Sequence, residues 1–205
     1  MKRASPLFTG LPAVFQVVPI GKRPARGKMR PMDEHQEQFL RDEFFSLTLM
    51  ATVQRAHVYA PDANADAKWK FQKALRSSLE QVEVFYCETV SEEDHIRNVV
   101  ALSEGLSADH ADVLAGGRFR IGTAQKALNL HLKYLWCLGK VPAPPHCPFD
   151  SRVIMKLPKC RGISWTALDD PAQYRKLVEA AKAKAGGMSL AAWELRTYND
   201  AFNRA

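Results

Sequence analysis

At 205 residues and 46% hydrophobic content, the chain can bury one sizeable core. No apolar run approaches the roughly 18 residues that span a bilayer. The stretch Leu7–Ile20 behind Lys2 and Arg3 is broken by Gly10, Pro12, Gln16 and Pro19, with no small-x-small cleavage site after it, so neither a membrane protein nor a secreted one is expected. The net charge of +7 is unevenly spread. Residues 1–32 hold seven Lys/Arg and no acid, residues 33–112 hold seven bases against sixteen acids, and residues 113–168 hold nine bases with Asp150 as the one acid. Cation collected in a tail and in one central segment suits a phosphate-binding surface, with a solvated basic face as the plain alternative.

Residues 1–32, rich in Pro, Gly and Arg and without periodicity, predict a flexible basic arm. A long amphipathic helix is predicted from Asp33 to about Tyr59 on Phe39, Phe44, Phe45, Leu47, Leu49 and Met50. A second runs from about Ala65 to Cys87 on Trp69, Leu75, Leu79, Val82 and Phe85. Ser91 caps a third, bearing Ile96, Val99, Val100 and Leu102, and Ser107 is read as the cap of a short helix through Leu114 ended by Gly116-Gly117. Gly122 to Leu138 forms the next helix, stopped by Gly139 and the prolines that follow. Asp150 caps a short helix through Leu157, Asp170-Pro171 opens one to about Ala185, and Ser189 caps a last one bearing Trp193, Leu195 and Tyr198. No run alternates as a strand would, so the fold class is all-α: a single helical domain over 33–205 behind the arm.

Chemistry concentrates in Ala111–Leu157. A glycine-containing hairpin, Gly116-Gly117-Arg118-Phe119-Arg120-Ile121-Gly122, precedes a long apolar helix that carries Lys126 about one turn inside its start. A proline-rich loop then delivers Pro148-Phe149-Asp150-Ser151-Arg152-Val153 at another helix start. Glycines let backbone approach a ligand, and free N–H groups at the start of the Gly122 helix are expected to face outward as an anion grip. Cys87, Cys137, Cys147 and Cys160 lack metal-site spacing and predict free thiols in a reducing cytoplasm. His131 and the four tryptophans read first as core residues and second as walls of a base pocket.

At these residues the sequence resembles the helix-hairpin-helix DNA glycosylase superfamily. Its members place a lysine just after the hairpin glycine and an aspartate at the next helix start, with proline two residues before that aspartate. The likeness runs to the archaeal 8-oxoguanine glycosylase branch, which has a longer hairpin, a Gln-Lys on the active helix, a second lysine seven residues on and an Asp-x-Arg-Val motif. Gln125-Lys126, Lys133 and Asp150-Ser151-Arg152-Val153 stand in that order here. Three departures are the long Arg118–Gly122 hairpin in place of a short Gly-x-Gly form, the spacing of 24 between Lys126 and Asp150, and the absence of the C-terminal cysteine cluster that binds an iron–sulfur centre in some relatives.

The resemblance implies a helical glycosylase-like bundle with its helix-hairpin-helix at about residues 108–138. Its partner would be double-stranded DNA with a damaged or modified base, processed without cofactor or metal by a monomer in the cytoplasm, at the nucleoid, in repair or defence against modified DNA. The base would be flipped out of the duplex. Lys126 would attack C1′ as a neutral amine and form a Schiff base whose elimination nicks the strand, and Asp150 would stabilise the positive charge developing on the sugar. Arg118, Arg120, Gly122, Thr123, Gln125, Lys133 and Arg152 would contact the DNA. Two other classes stay open on the residues: a non-catalytic helix-hairpin-helix DNA-binding module, and a metal-dependent nuclease, for which the basic segment offers only Asp150 as a carboxylate.

Overall fold

The computed structural model describes residues 32–202, so the basic arm lies outside the described residues except for Met32. Among the described residues seven α-helices form: α1 Glu34–Leu49, α2 Ala65–Glu83, α3 Glu92–Asp109, α4 Ile121–Cys137, α5 Ser151–Ile154, α6 Pro171–Ala185 and α7 Leu190–Phe202. No strand forms among the described residues, and the fold is all-α. Helix starts follow local chemistry. Asp33, Asn64, Ser91, Asp150 and Asp170 each accept a hydrogen bond from a backbone N–H of the first turn. At the other end of α6, Gly186 takes the left-handed conformation (φ 60°) that closes a helix without steric penalty.

Helix α4 is the centre. It packs on α1, α2, α3 and α6, and every residue from Ile121 to Asn129 is buried. A helix buried on all sides needs small residues where neighbours crowd it, which Gly122, Thr123, Ala124 and Ala127 supply. Around it α2 contributes Phe71, Leu75 and Leu79, α3 contributes Ile96, Val99, Leu102 and Leu106, and α6 contributes Tyr174, Leu177, Val178 and Ala181.

Three expectations are corrected. The first helix does not run unbroken to Tyr59: it ends at Leu49 and passes into a π-turn, Met50–Gln54, where the Thr52 hydroxyl donates to the Thr48 carbonyl at 2.5 Å. The chain then reverses at His57, the one described non-glycine residue with positive φ (49°). It pairs briefly with the segment after α3, Ala60 N–H donating to Val113 O at 2.9 Å and Ala115 N–H to Val58 O at 2.8 Å. Second, the apolar stripes of the first two helices are only partly those read from periodicity: Leu75 and Leu79 are fully buried, but Phe39, Trp69 and Phe85 are exposed, and α2 also turns Phe71 inward. Third, Ser107 caps no helix. Helix α3 continues to Asp109, and the Ser107 hydroxyl donates to Ser103 O at 2.6 Å while accepting from Phe119 N–H at 2.9 Å. Ser103 donates to Phe119 O at 2.6 Å, so two serines of α3 pin the hairpin to the helix before it.

A polar network crosses the core beside α4. Asn129 donates to Tyr174 Oη at 3.3 Å, Tyr174 Oη lies 2.6 Å from His146 Nδ1, and the His146 ring packs edge-on against His95, which meets Tyr86 Oη at 2.7 Å. Burial holds the imidazoles neutral, His95 lowered to about 4 and His146 to about 2.

Candidate active site

Lys126 lies in the second turn of α4 with its side chain 3% exposed. Its aliphatic stem has the helical core around it, and its Nζ stands 4.2 Å from the centre of the Trp165 ring and 3.7 Å from Asp150 Oδ2. Burial holds this amine below the ordinary lysine range; Asp150 works against that shift, and Arg55 and Arg152 reinforce it. A lysine so placed keeps more of its population neutral near physiological pH than a surface lysine does.

Asp150 divides its two oxygens between two tasks. Oδ1 accepts from Arg152 N–H at 2.9 Å and Val153 N–H at 3.1 Å as the cap of α5, which leaves Oδ2 directed to Lys126. The sequence brings these two residues together from α4 and from the proline-rich loop, and the structure has them share one cleft. That cleft has a volume of about 1270 Å³, and its walls include Arg55, Lys126, Lys133, Asp150, Arg152 and Lys156.

The first turn of α4 differs from the expected anion grip. Ile121 N–H donates to Asp169 Oδ1 at 3.1 Å and Gly122 N–H donates to Leu168 O at 2.8 Å. Thr123 and Ala124 N–H both donate to Arg120 O at 2.9 Å. The donors at the helix start are thus taken by the protein's own chain and do not face outward. Gly122 is there for packing: a Cβ on it would lie 1.8 Å from the Trp165 carbonyl oxygen. Thr123 and Gln125 are buried at 1% and 0% exposure and, unlike Lys126, neither lines the cleft. Arg118, expected to be free for phosphate, makes a bidentate pair with Asp169 at 3.1 Å on both bonds, and Arg120 is half-buried at the hairpin's end.

Lys133 and Arg152 do line the cleft, one of them already paired. Lys133 Nζ lies 2.6 Å from Glu194 Oε2 and 4.8 Å from the Tyr198 ring centre, and burial raises the Glu194 carboxyl above its ordinary range against the pull of Lys133. His131, weighed as a pocket wall, pairs instead with Glu83 at 2.6 Å. Trp165 is the tryptophan that reaches the site, and it covers Lys126. Asp169, Glu194 and Arg55 escaped the sequence reading, since their roles depend on partners far along the chain. Asp169 did carry one signal, an acid just outside the basic segment with a second beside it.

Comparisons with known protein families, with curated protein sequences and with solved structures find no match.

Proposed function

We propose that this protein is a DNA glycosylase that excises a damaged or modified base from duplex DNA, with Lys126 as nucleophile and Asp150 as its electrostatic partner. One observation carries the reading: a lysine whose side chain is 3% exposed, its amine lowered in pKa by burial and 3.7 Å from a carboxylate, lines a cleft with further cations. A lysine that serves only as a surface charge has no reason to be buried beside so few polar partners.

The chemistry follows from the two side chains. The neutral Lys126 amine adds to C1′ of the target nucleotide as the bond from C1′ to the base breaks, and the base leaves with that electron pair. The ionised Asp150 Oδ2 stabilises positive charge developing on the sugar. Loss of a proton from the new C1′–N linkage and opening of the sugar ring give a Schiff base, and removal of a C2′ proton then expels the 3′-phosphate and nicks the strand. The cationic rim, with Arg55, Arg152 and Lys156, suits the flanking phosphates. The cleft is large enough for a flipped base among Tyr134, Trp165 and Tyr198.

Borohydride trapping against duplexes carrying a panel of damaged and modified bases tests the reading. A covalent adduct that maps to Lys126, and survives EDTA, is the expected result. Tight duplex binding with no base released from any member of the panel would replace the enzyme by a non-catalytic DNA-binding module, and activity abolished by EDTA would replace it by a metal-dependent nuclease.

A further inference from the structure

Gln125 stands next to Lys126 in α4, and Phe149 stands next to Asp150 at the end of the proline-rich loop. The Gln125 amide grips the Phe149 backbone at both of its polar atoms. Gln125 Nε2 donates to Phe149 O at 2.8 Å, and Phe149 N–H donates to Gln125 Oε1 at 3.1 Å. The second Nε2 hydrogen goes to Gly122 O at 2.8 Å, and Oε1 also accepts from Asn129 Nδ2 at 3.3 Å. All four hydrogen-bonding positions of the amide are used inside the protein.

We propose that Gln125 is the positioning residue of the Lys126–Asp150 pair: by clamping the Phe149 backbone it fixes how far the Asp150 carboxylate stands from the Lys126 amine. The proposal rests on the glycosylase reading for its catalytic readout. The loop needs such an anchor, because residues 138–150 contain Pro142, Pro144, Pro145 and Pro148 and form no helix that would hold Asp150 from behind. One peptide bond separates the clamp from a functional residue on each side, so a shift of the clamp moves both.

The amide's direction is itself enforced from the core. Asn129 gives one hydrogen to Gln125 Oε1 and the other to Tyr174 Oη, so the single Tyr174 hydroxyl hydrogen is left for His146 Nδ1, 2.6 Å away. That assignment puts the His146 proton on Nε2. Reversing the Gln125 amide would set its donors against Phe149 N–H and Asn129 Nδ2, so one orientation alone pairs Gln125 with both. The Phe149 ring, fully buried against Tyr174 at 5.9 Å between centroids, seats the same residue from its other side.

Satisfying the buried Phe149 backbone would by itself explain a stabilising glutamine. Positioning makes a sharper demand: a variant that still folds and still binds DNA should lose rate. In the full chain, Gln125→Met keeps the length and removes the clamp. Single-turnover base release should fall about a hundredfold, the loss that a displacement of about 1 Å can bring, while duplex Kd stays within about threefold of wild type. Unchanged release with a lowered Tm would overturn the proposal and leave Gln125 as a packing residue.

Gln125→Glu guards against a methionine variant that does not fold. Its carboxyl, when protonated, can donate to Phe149 O and accept from Phe149 N–H; once ionised it only accepts. The ratio of variant to wild-type rate should therefore climb as pH falls, at temperatures where both proteins are folded. A ratio flat in pH would sink the idea. Should wild type process no duplex, the glycosylase reading fails separately, and competitive acetylation of the lysines with acetic anhydride, read by peptide mass spectrometry across pH, decides. A Lys126 titration midpoint displaced in Gln125→Glu relative to wild type supports the positioning role, and superimposable profiles overturn it.

Discussion

Two consecutive turns of α4 use similar residues to opposite ends. The first turn, Ile121–Ala124, has its backbone donors taken by Asp169, Leu168 and Arg120, and its glycine is filled by the Trp165 backbone. The second turn carries Lys126 into a cleft of about 1270 Å³ whose rim is cationic. What reads in the sequence as a single phosphate grip beside a lysine is two devices. One is a closed joint that fixes the helix, and the other an open site that the joint holds in place. The lesson is that a glycine and a helix start make an anion site only where the chain leaves their N–H groups unclaimed. On the proposed function, the burden of binding phosphate would fall on side chains.

The most severe break in that comparison is at the open turn. Lys126→Gln keeps length and polarity without a nucleophilic amine, so covalent trapping should vanish and base release fall by at least about 10³-fold, with duplex affinity little changed. Asp150→Asn keeps an oxygen for the Arg152 and Val153 N–H groups, so α5 survives, while loss of the charge should lower the rate about 10²- to 10³-fold. The pH profile separates the two roles. The rate should rise with pH as the Lys126 ammonium loses its proton and level off below 10.5, because burial depresses that pKa. Asp150 opposes the depression, so Asp150→Asn should move the midpoint to lower pH, whereas Arg55→Ala should move it higher. Single-turnover rates across pH measure both shifts, and coincident profiles would detach these charges from Lys126.

Gly122→Ala attacks the closed joint. Its Cβ would meet the Trp165 carbonyl at 1.8 Å and Leu168 Cβ at 2.9 Å, so the 165–168 segment must move. Thermal denaturation should show destabilisation of about 1–3 kcal/mol from overpacking. Base release should fall with it, since Trp165 is the ring that lies over the Lys126 amine. A variant as stable and as active as wild type would show that the joint has slack that the structure does not display.

Much of this was legible beforehand, and the rest had a common cause. The caps at Asp33, Ser91, Asp150 and Asp170 are local side-chain-to-backbone chemistry, so their helix starts could be read directly. Lys126 and Asp150 were legible as a lysine behind glycine and a lone acid in a basic segment, and the structure brings them within 3.7 Å. The inward faces of the first two helices were legible only in part: Leu75 and Leu79 are buried as their spacing suggested, but periodicity marks apolar residues whether or not another helix covers them, and Phe39 at 62% and Phe85 at 69% exposure look the same in sequence as Phe71 at 0%. Nor could Gln125 be separated from a residue that touches DNA, since its partner Phe149 is 24 residues away along the chain. Arg55 was hidden for the same reason: the π-turn and the reversal at His57 that carry it to the cleft have no clear sequence signature.

The cations of the cleft and those of the hairpin should next part company in salt. Arg55 and Arg152 line the cleft and, among the described residues, have no carboxylate that closes them into a bidentate pair as Asp169 closes Arg118. Removing both as Arg55→Ala with Arg152→Ala should weaken duplex binding and make the slope of log K against log salt shallower by about two, near 0.9 for each phosphate no longer neutralised. Filter binding or fluorescence anisotropy at several salt concentrations reads this directly. An unaltered slope would mean that the cleft rim does not touch phosphate.

The smallest effect is expected at the hairpin, and it should appear in stability before binding. Arg118 holds Asp169 with two bonds at 3.1 Å, and Asp169 in turn accepts from Ile121 N–H, so the pair acts as a tertiary cap for α4. Arg118→Ala removes a half-exposed ion pair that water already screens, worth about 0–1 kcal/mol. Asp169→Ala also strips the cap and should cost about 1 kcal/mol, a fall of about 2–4 °C in Tm for a domain of this size. The two losses should not add, because each variant breaks the same pair; Arg118→Ala with Asp169→Ala should melt close to Asp169→Ala alone. Duplex affinity should change less in Arg118→Ala than in Arg55→Ala with Arg152→Ala. The opposite ranking, with Tm untouched, would mean that Arg118 releases Asp169 to take a phosphate when DNA arrives, and the hairpin would regain the grip that its closed helix start denies it.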